Sequence, residues 1–189
     1  EGRLDGEFSA KCGISAETRE ANRTRVLAAC EEFKKNYDNA EEREVYLFSV
    51  GGRSEISGNH TDHNYGRVIA ASINLDVIAI ASPRDDGIIR IKSQGFPEDV
   101  VEAKDACSPD ESKYFTSGAI IAGMEKAFMD RGLRVGGFDA YTTSNVLKGS
   151  GLSSSAAFEV MVGNIISHIY NEGKVDNVEI AKMAQFAER

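Results

Sequence analysis

The run Gly149-Ser150-Gly151-Leu152-Ser153-Ser154-Ser155-Ala156-Ala157 constrains the fold of this chain more than any other feature. It leads directly into Ser153 to Tyr170, a stretch apolar on nearly every side, and a helix of that kind is buried. Glycines permit positive φ and let backbone N–H groups approach a ligand with no Cβ in the way. A helix starting immediately after them adds unpaired N–H groups and the positive end of its dipole. Together these features make an anion site, most often for phosphate. A Gly/Ser turn with one N-capping serine is the plainer reading, but three consecutive serines exceed what a cap requires. Two familiar phosphate loops are excluded by spelling: no Lys follows Gly151 as a Walker A loop demands, and Ser154 stands where GxGxxG needs its third glycine. The candidate phosphate ligands are Gly149, Ser150, Gly151, Leu152, Ser153, Ser154 and Ser155.

Upstream, Ser15 is placed to cap a helix in which Val26, Cys30, Phe33 and Tyr37 form one apolar stripe, with Cys30 read as a core residue. Short β-rich runs follow at Val45 to Val50, Val68 to Ser72, Val77 to Ser82 and Ile88 to Lys92, the last after the turn Pro83 to Gly87. Asp99 to Glu111 reads as a solvated acidic loop, Ser112 to Asp130 as a helix and Phe138 to Thr142 as a further strand. Asp176 with Glu179 spells a capping box for a last helix. Strands first and helices later imply an α+β layer architecture.

The second chemical signal is the segment 51–66, which sets His60, His63, Asp62, Asn59, Asn64, Arg53 and four glycines between two apolar runs. Such a loop offers the mixed donors and acceptors that sugar hydroxyls require. A metal site from His60, Asp62 and His63 is disfavoured, because ligands this close on one loop give poor geometry. His168, on the apolar helix, reads as a core or edge histidine. A formal charge of −8 argues against nucleic acid as a partner. No apolar run approaches the roughly 18 residues of a membrane span. Cys12, Cys30 and Cys107 have neither disulfide-framework nor zinc spacing, which fits a reducing cytoplasm.

Together, the two segments resemble the galactokinases of the GHMP kinase superfamily. Their sugar motif Gly-Arg-x-Asn-Leu-Ile-Gly-Glu-His-Thr-Asp-Tyr-Asn-Gly-Gly corresponds to GRSEISGNHTDHNYG at 52–66, and their phosphate motif Pro-x-Gly-x-Gly-Leu-Ser-Ser-Ser-Ala-Ala to LKGSGLSSSAA at 147–157. SPRDDGIIRIKS, GLRVGGFDAYTTS and Gln185-Phe186-Ala187-Glu188 extend the likeness. The resemblance implies a ribosomal-protein-S5-domain-2-like α+β fold with left-handed βαβ character, and an ATP-dependent kinase making a sugar 1-phosphate, with galactose first. It implies that Arg53 acts beside the reacting hydroxyl, that Asn59, His60 and Asp62 bind sugar, and that Ser155 and Glu188 lie near Mg²⁺. The implied partners are ATP and a small-molecule sugar.

The expected organisation is a helical extension at 1–44 and the kinase N-terminal domain at 45–189. The C-terminal domain and the family's catalytic aspartate would lie past Arg189, so the fragment itself is expected not to turn over; Asp62 and Asp139 are the nearby carboxylates, expected to be a sugar ligand and a strand residue. Departures from the motif concentrate on the sugar: the usual Glu before His is Asn59, the early Asn is Glu55, and the Tyr is His63, while Leu147 replaces Pro in the phosphate motif. Asn for Glu removes a charge and adds donors, which leaves another hexose or an amino sugar as the alternative substrate. A non-catalytic galactose sensor is the other alternative; the uninterrupted Ser153-Ser154-Ser155-Ala156-Ala157 argues against it.

Overall fold

The computed structural model describes residues 15–58, 66–102, 116–146, 149 and 151–188. The chain divides into two compact units, Glu1–Arg43 and Glu44–Arg189.

The first unit contains α1 (Ala16–Asn36), whose N-cap Ser15 accepts from the Thr18 amide at 3.1 Å. Its buried line runs through Ala29, Phe33 and Tyr37, spaced four apart, with the Phe33 and Tyr37 rings 5.0 Å apart. Cys30, expected in the core, is only half-buried. The stripe is turned by one residue because Ala29, not Cys30, lies one turn before Phe33.

The second unit is a mixed five-stranded sheet in the order β1-β2-β5-β3-β4. The strands are β1 (Tyr46–Ser57), β2 (Ile69–Pro83), β3 (Ile88–Ser93), β4 (Glu98–Glu102) and β5 (Phe138–Ser144). Among the described residues only β3 and β5 pair in parallel. Helices α2 (Ser117–Met129), α3 (Ser154–Tyr170) and α4 (Asn177–Ala187) bury their apolar faces in one core with alternate residues of the strands. Val77, Ala79 and Ala81 of β2, Ile89 and Ile91 of β3, and Phe138 and Ala140 of β5 supply the sheet side. At the helix crossings a Cβ on Gly163 would come within 2.7 Å of Ile180 and 2.8 Å of Met124, so that glycine sets how closely α3 approaches α2 and α4.

Several boundaries differ from the sequence reading. The runs 68–72 and 77–82 are one strand, β2, because β1 pairs with it at 69–72 and again at 76–81, across a register shift opposite Gly51/Arg53. The segment 51–66 is not a loop throughout: β1 continues through Gly51–Ser57. Residues 99–102, read as the start of an acidic loop, belong to the edge strand β4, which pairs antiparallel with β3. Its charges suit an edge, and Val101 alone among its residues is buried. Helix α2 starts at Ser117, with Thr116 accepting from Ala119 N–H; residues 112–115 lie outside the described set. The capping box of α4 is half-formed: Asp176 accepts from Val178 N–H, while Glu179 is engaged by Lys182 and Arg131.

Candidate functional site

The Gly/Ser loop hangs between the end of β5 and the start of α3. Ser144 turns the chain out of β5 by accepting from Val146 N–H at 3.0 Å and donating to the Val146 carbonyl at 3.1 Å. Val146 is buried, so the loop leaves from a fixed point. Gly149, Gly151 and Ser153 then take positive φ of 77°, 75° and 60°. Left-handed residues in such a turn aim neighbouring backbone N–H groups to one side, the arrangement of an anion-binding concavity. Ser153 is the N-cap of α3 in the left-handed region, and its side chain makes no capping hydrogen bond. A serine used only as a cap would have extended backbone and bond its own helix, as Ser15 and Thr116 do. The first intrahelical bond runs from Ala157 N–H to the Ser153 carbonyl, so the amides of 154–156 have no intrahelical partner.

This loop touches the other motif directly. The Arg53 amide of β1 donates to the Leu152 carbonyl at 3.2 Å. Beside it, a Cβ on Gly52 would sit 2.9 Å from the Leu152 oxygen and 3.1 Å from a Val146 methyl. Gly52 is therefore required for the loop to rest on the strand, and Arg53, itself exposed, is anchored at the crossing. Farther along β1, Gly58 has φ of 92°, and a Cβ there would meet the Arg67 carbonyl at 2.4 Å. That contact closes the stem of the segment carrying Asn59, His60 and Asp62. These three residues, and Ser150, lie outside the described residues.

At the far side of the loop, α3 and α4 form a hairpin joined by residues 171–176, with Gly163 against Ile180. Eight residues back from Gly163 is Ser155, and eight on from Ile180 is Glu188. Antiparallel helices rising about 1.5 Å per residue bring those two to a similar level. Both are exposed. Glu159, one turn after Ser155, is 1 % exposed, and its Oε1 is shut from solvent with no hydrogen-bond partner. Burial, with the Glu188 charge added to it, pushes the Glu159 carboxyl up to about 7. The Ser155 hydroxyl and the Glu188 carboxylate are hard oxygen donors of the type Mg²⁺ takes, and the orphaned Oε1 of Glu159 is a further oxygen acceptor one turn from Ser155. Among the described residues no three His, Cys, Asp or Glu side chains gather as a metal cluster. Mg²⁺ needs none, since one or two carboxylates and substrate phosphates suffice.

Sequence reasoning did not single out Glu159, although it is the one acidic residue in α3 and that was the available signal. Asp139 is wholly buried on β5, bound by both oxygens to Arg84 Nη1 at 2.9 and 3.0 Å. It stands five residues, about 17 Å of extended chain, before the end of β5 that feeds the loop. His168 packs edge-on against Tyr46 and Phe48, at 4.8 and 5.7 Å between ring centroids.

The comparisons with known proteins agree with this geometry. Residues 31–83 match the galactokinase galactose-binding signature, and residues 117–189 match the N-terminal domain of GHMP kinases. The chain belongs to the galactokinase family of GHMP kinases. It is 33% identical over 144 residues to a galactokinase of Clostridium tetani, covering 75% of this chain and 36% of that protein. With a galactokinase of Lactobacillus helveticus it shares 35% identity over 163 residues, 84% of this chain and 41% of the relative. The chain thus spans about two-fifths of the length of the curated relatives it matches. In fold it is similar to Lactococcus lactis galactokinase, solved in complex with galactose, at TM-score 0.76 and 24% identity over 87% of this chain and 43% of that one. The mevalonate kinase of Methanococcus jannaschii matches at TM-score 0.63 and 16% identity, over 77% and 46% of the two chains. No helix among the described residues is long and apolar enough to cross a membrane.

Proposed function

We propose that this chain contributes the nucleotide and sugar motifs of a kinase that transfers the γ-phosphoryl group of ATP to the anomeric hydroxyl of galactose. The observation that carries the reading is the bond from Arg53 N–H to the Leu152 carbonyl, which fixes the sugar motif's arginine against the Gly/Ser loop. Phosphoryl transfer asks chiefly for positioning and charge neutralisation, and two motifs held by backbone supply the first.

In this mechanism the N–H groups at the start of α3, with Gly149, Ser150, Gly151, Leu152 and the hydroxyls of Ser153, Ser154 and Ser155, cradle the phosphates. Asn59, His60 and Asp62 orient the sugar hydroxyls. The Arg53 guanidinium stabilises negative charge on the reacting hydroxyl and the phosphoryl oxygens. Ser155 and Glu188 would hold Mg²⁺, which supplies positive charge to the β- and γ-phosphate oxygens. The scattered cysteines support a reducing, cytoplasmic setting.

Asn59 favours a second reading within the same chemistry. An amide in place of the motif's carboxylate donates to a sugar oxygen that a carboxylate could only accept from, which suits a hexose other than galactose or an amino sugar. ADP release from the protein carrying this chain, with Mg-ATP and galactose, glucose, N-acetylgalactosamine, mevalonate or homoserine, tests both. Release with galactose alone is the expected result. Release with another sugar selects the second reading, and release only with mevalonate or homoserine refutes both.

A further inference from the structure

Glu159 is an expensive residue to place inside a helix bundle. It is 1 % exposed, its Oε1 has no hydrogen-bond partner, and the other charge it feels is the carboxylate Glu188. A buried polar atom left unpaired destabilises a fold, and a second negative charge nearby adds to the cost. Packing does not call for a carboxylate there, since the α3 neighbours Ala157, Met161 and Val162 are buried and apolar. What distinguishes the position is its place: one turn from Ser155 along the same face of α3, on the hairpin end where Glu188 closes α4.

We propose that Glu159 is a third residue of the divalent-cation site, a positioning residue whose Oε1 accepts a hydrogen bond from a water carried by the cation that Ser155 and Glu188 hold. The inference rests on reading that end as the Mg-nucleotide site. Mg²⁺ gives up its water reluctantly and keeps several when bound, so a buried acceptor beside it is matched to a water rather than to the metal. Residues that hold a cation's hydration and direct ligands commonly govern affinity by 10–100-fold without touching the ion. Glu159 then has its unsatisfied oxygen filled only in the loaded protein, which couples cation binding to the stiffness of the α3–α4 hairpin.

The test uses Mn²⁺ as an EPR probe, titrated into the chain saturated with the non-hydrolysable nucleotide AMP-PNP. AMP-PNP affinity in EDTA and the urea unfolding curve are measured alongside. Glu159→Gln is expected to weaken Mn²⁺ about 10-fold or more, with metal-free AMP-PNP affinity unchanged and unfolding still cooperative. Glu188→Gln is expected to weaken Mn²⁺ as well. Wild-type Mn²⁺ affinity in Glu159→Gln beside a weakened Glu188→Gln overturns this inference and leaves the nucleotide-site reading standing. Failure of the folded wild-type chain to bind AMP-PNP overturns both. Should Glu159→Gln not fold, Glu159→Asp decides: the oxygens withdraw by one methylene, an affinity between wild type and Glu188→Gln supports the role, and wild-type affinity refutes it.

Discussion

Replacing Gly52 by Ala probes the contact on which the functional reading depends. The new Cβ would lie 2.9 Å from the Leu152 carbonyl oxygen and 3.1 and 3.2 Å from the two Val146 methyls. Ordinary contact begins near 3.4 Å, so the oxygen must retreat by about 0.5 Å (3.4 minus 2.9). That oxygen belongs to backbone and accepts from Arg53 N–H at 3.2 Å, so it cannot move without lengthening the bond past useful range. Overpacking of this kind costs about 1–3 kcal/mol and a lost backbone hydrogen bond about 1. A total near 2–4 kcal/mol corresponds to a fall in melting temperature of roughly 4–16 °C for a chain of this size. The displaced atom sits between Gly151 and Ser153, so AMP-PNP affinity should fall about 10-fold with it, the equivalent of about 1.4 kcal/mol. Thermal melts and calorimetric titration of Gly52→Ala measure the two effects. A variant that melts within 1 °C of wild type, or one that melts early yet binds AMP-PNP normally, would refute the argument that this crossing positions the loop.

Three further outcomes follow from the same structure. Ser153 holds φ of 60° with no capping bond in return, so Ser153→Gly should relieve about 1 kcal/mol of left-handed strain and raise the melting temperature, whereas Ser153→Val should lower it; a fall with Gly would contradict the strain. Arg84→Ala removes the ion pair made to both oxygens of the buried Asp139 and should cost about 3–5 kcal/mol in urea unfolding, with Arg84→Ala/Asp139→Ala costing less than the single variant. The folded-state carboxyl of Glu159 titrates near 7 against an ordinary 4.5, so its proton is held more tightly in the folded chain. Its contribution to stability is present in full below about 4.5 and is lost as pH rises through about 7. Glu159→Gln should remove that part of the slope between about pH 4.5 and 7 in metal-free buffer, and an unchanged slope would place the titration elsewhere.

Stability and binding pull against each other at this end of the hairpin. A neutral isostere of Glu159 should make the metal-free chain more stable above pH 7 and the cation weaker. The left-handed Ser153 and the uncapped amides of α3 have the same character, in that local rules are broken at the proposed nucleotide loop.

The parts of the fold that were legible in the sequence are those whose causes are local. Ser15 caps α1, Gly87 takes the positive φ its turn needs, and the apolar run after Ser153 is a buried helix. The turn of the Gly/Ser loop was legible for the same reason, since Gly149 and Gly151 act through their own positive φ and the helix that follows. Tertiary structure decided the rest. Strand β4 has one buried residue, Val101, and exists because β3 offers it an edge to pair with. Strand β2 continues past Ser72 because β1 pairs with it on both sides of a register shift, and no periodicity inside 69–83 reports that neighbour. The meeting of Gly52 with Leu152, across a hundred residues, and the burial of Glu159 beside Glu188 depend on which surfaces the core brings together. A one-dimensional pattern records which face a residue prefers, whereas what stands on the other side of that face is fixed only when the sheet and the helix hairpin close on one another.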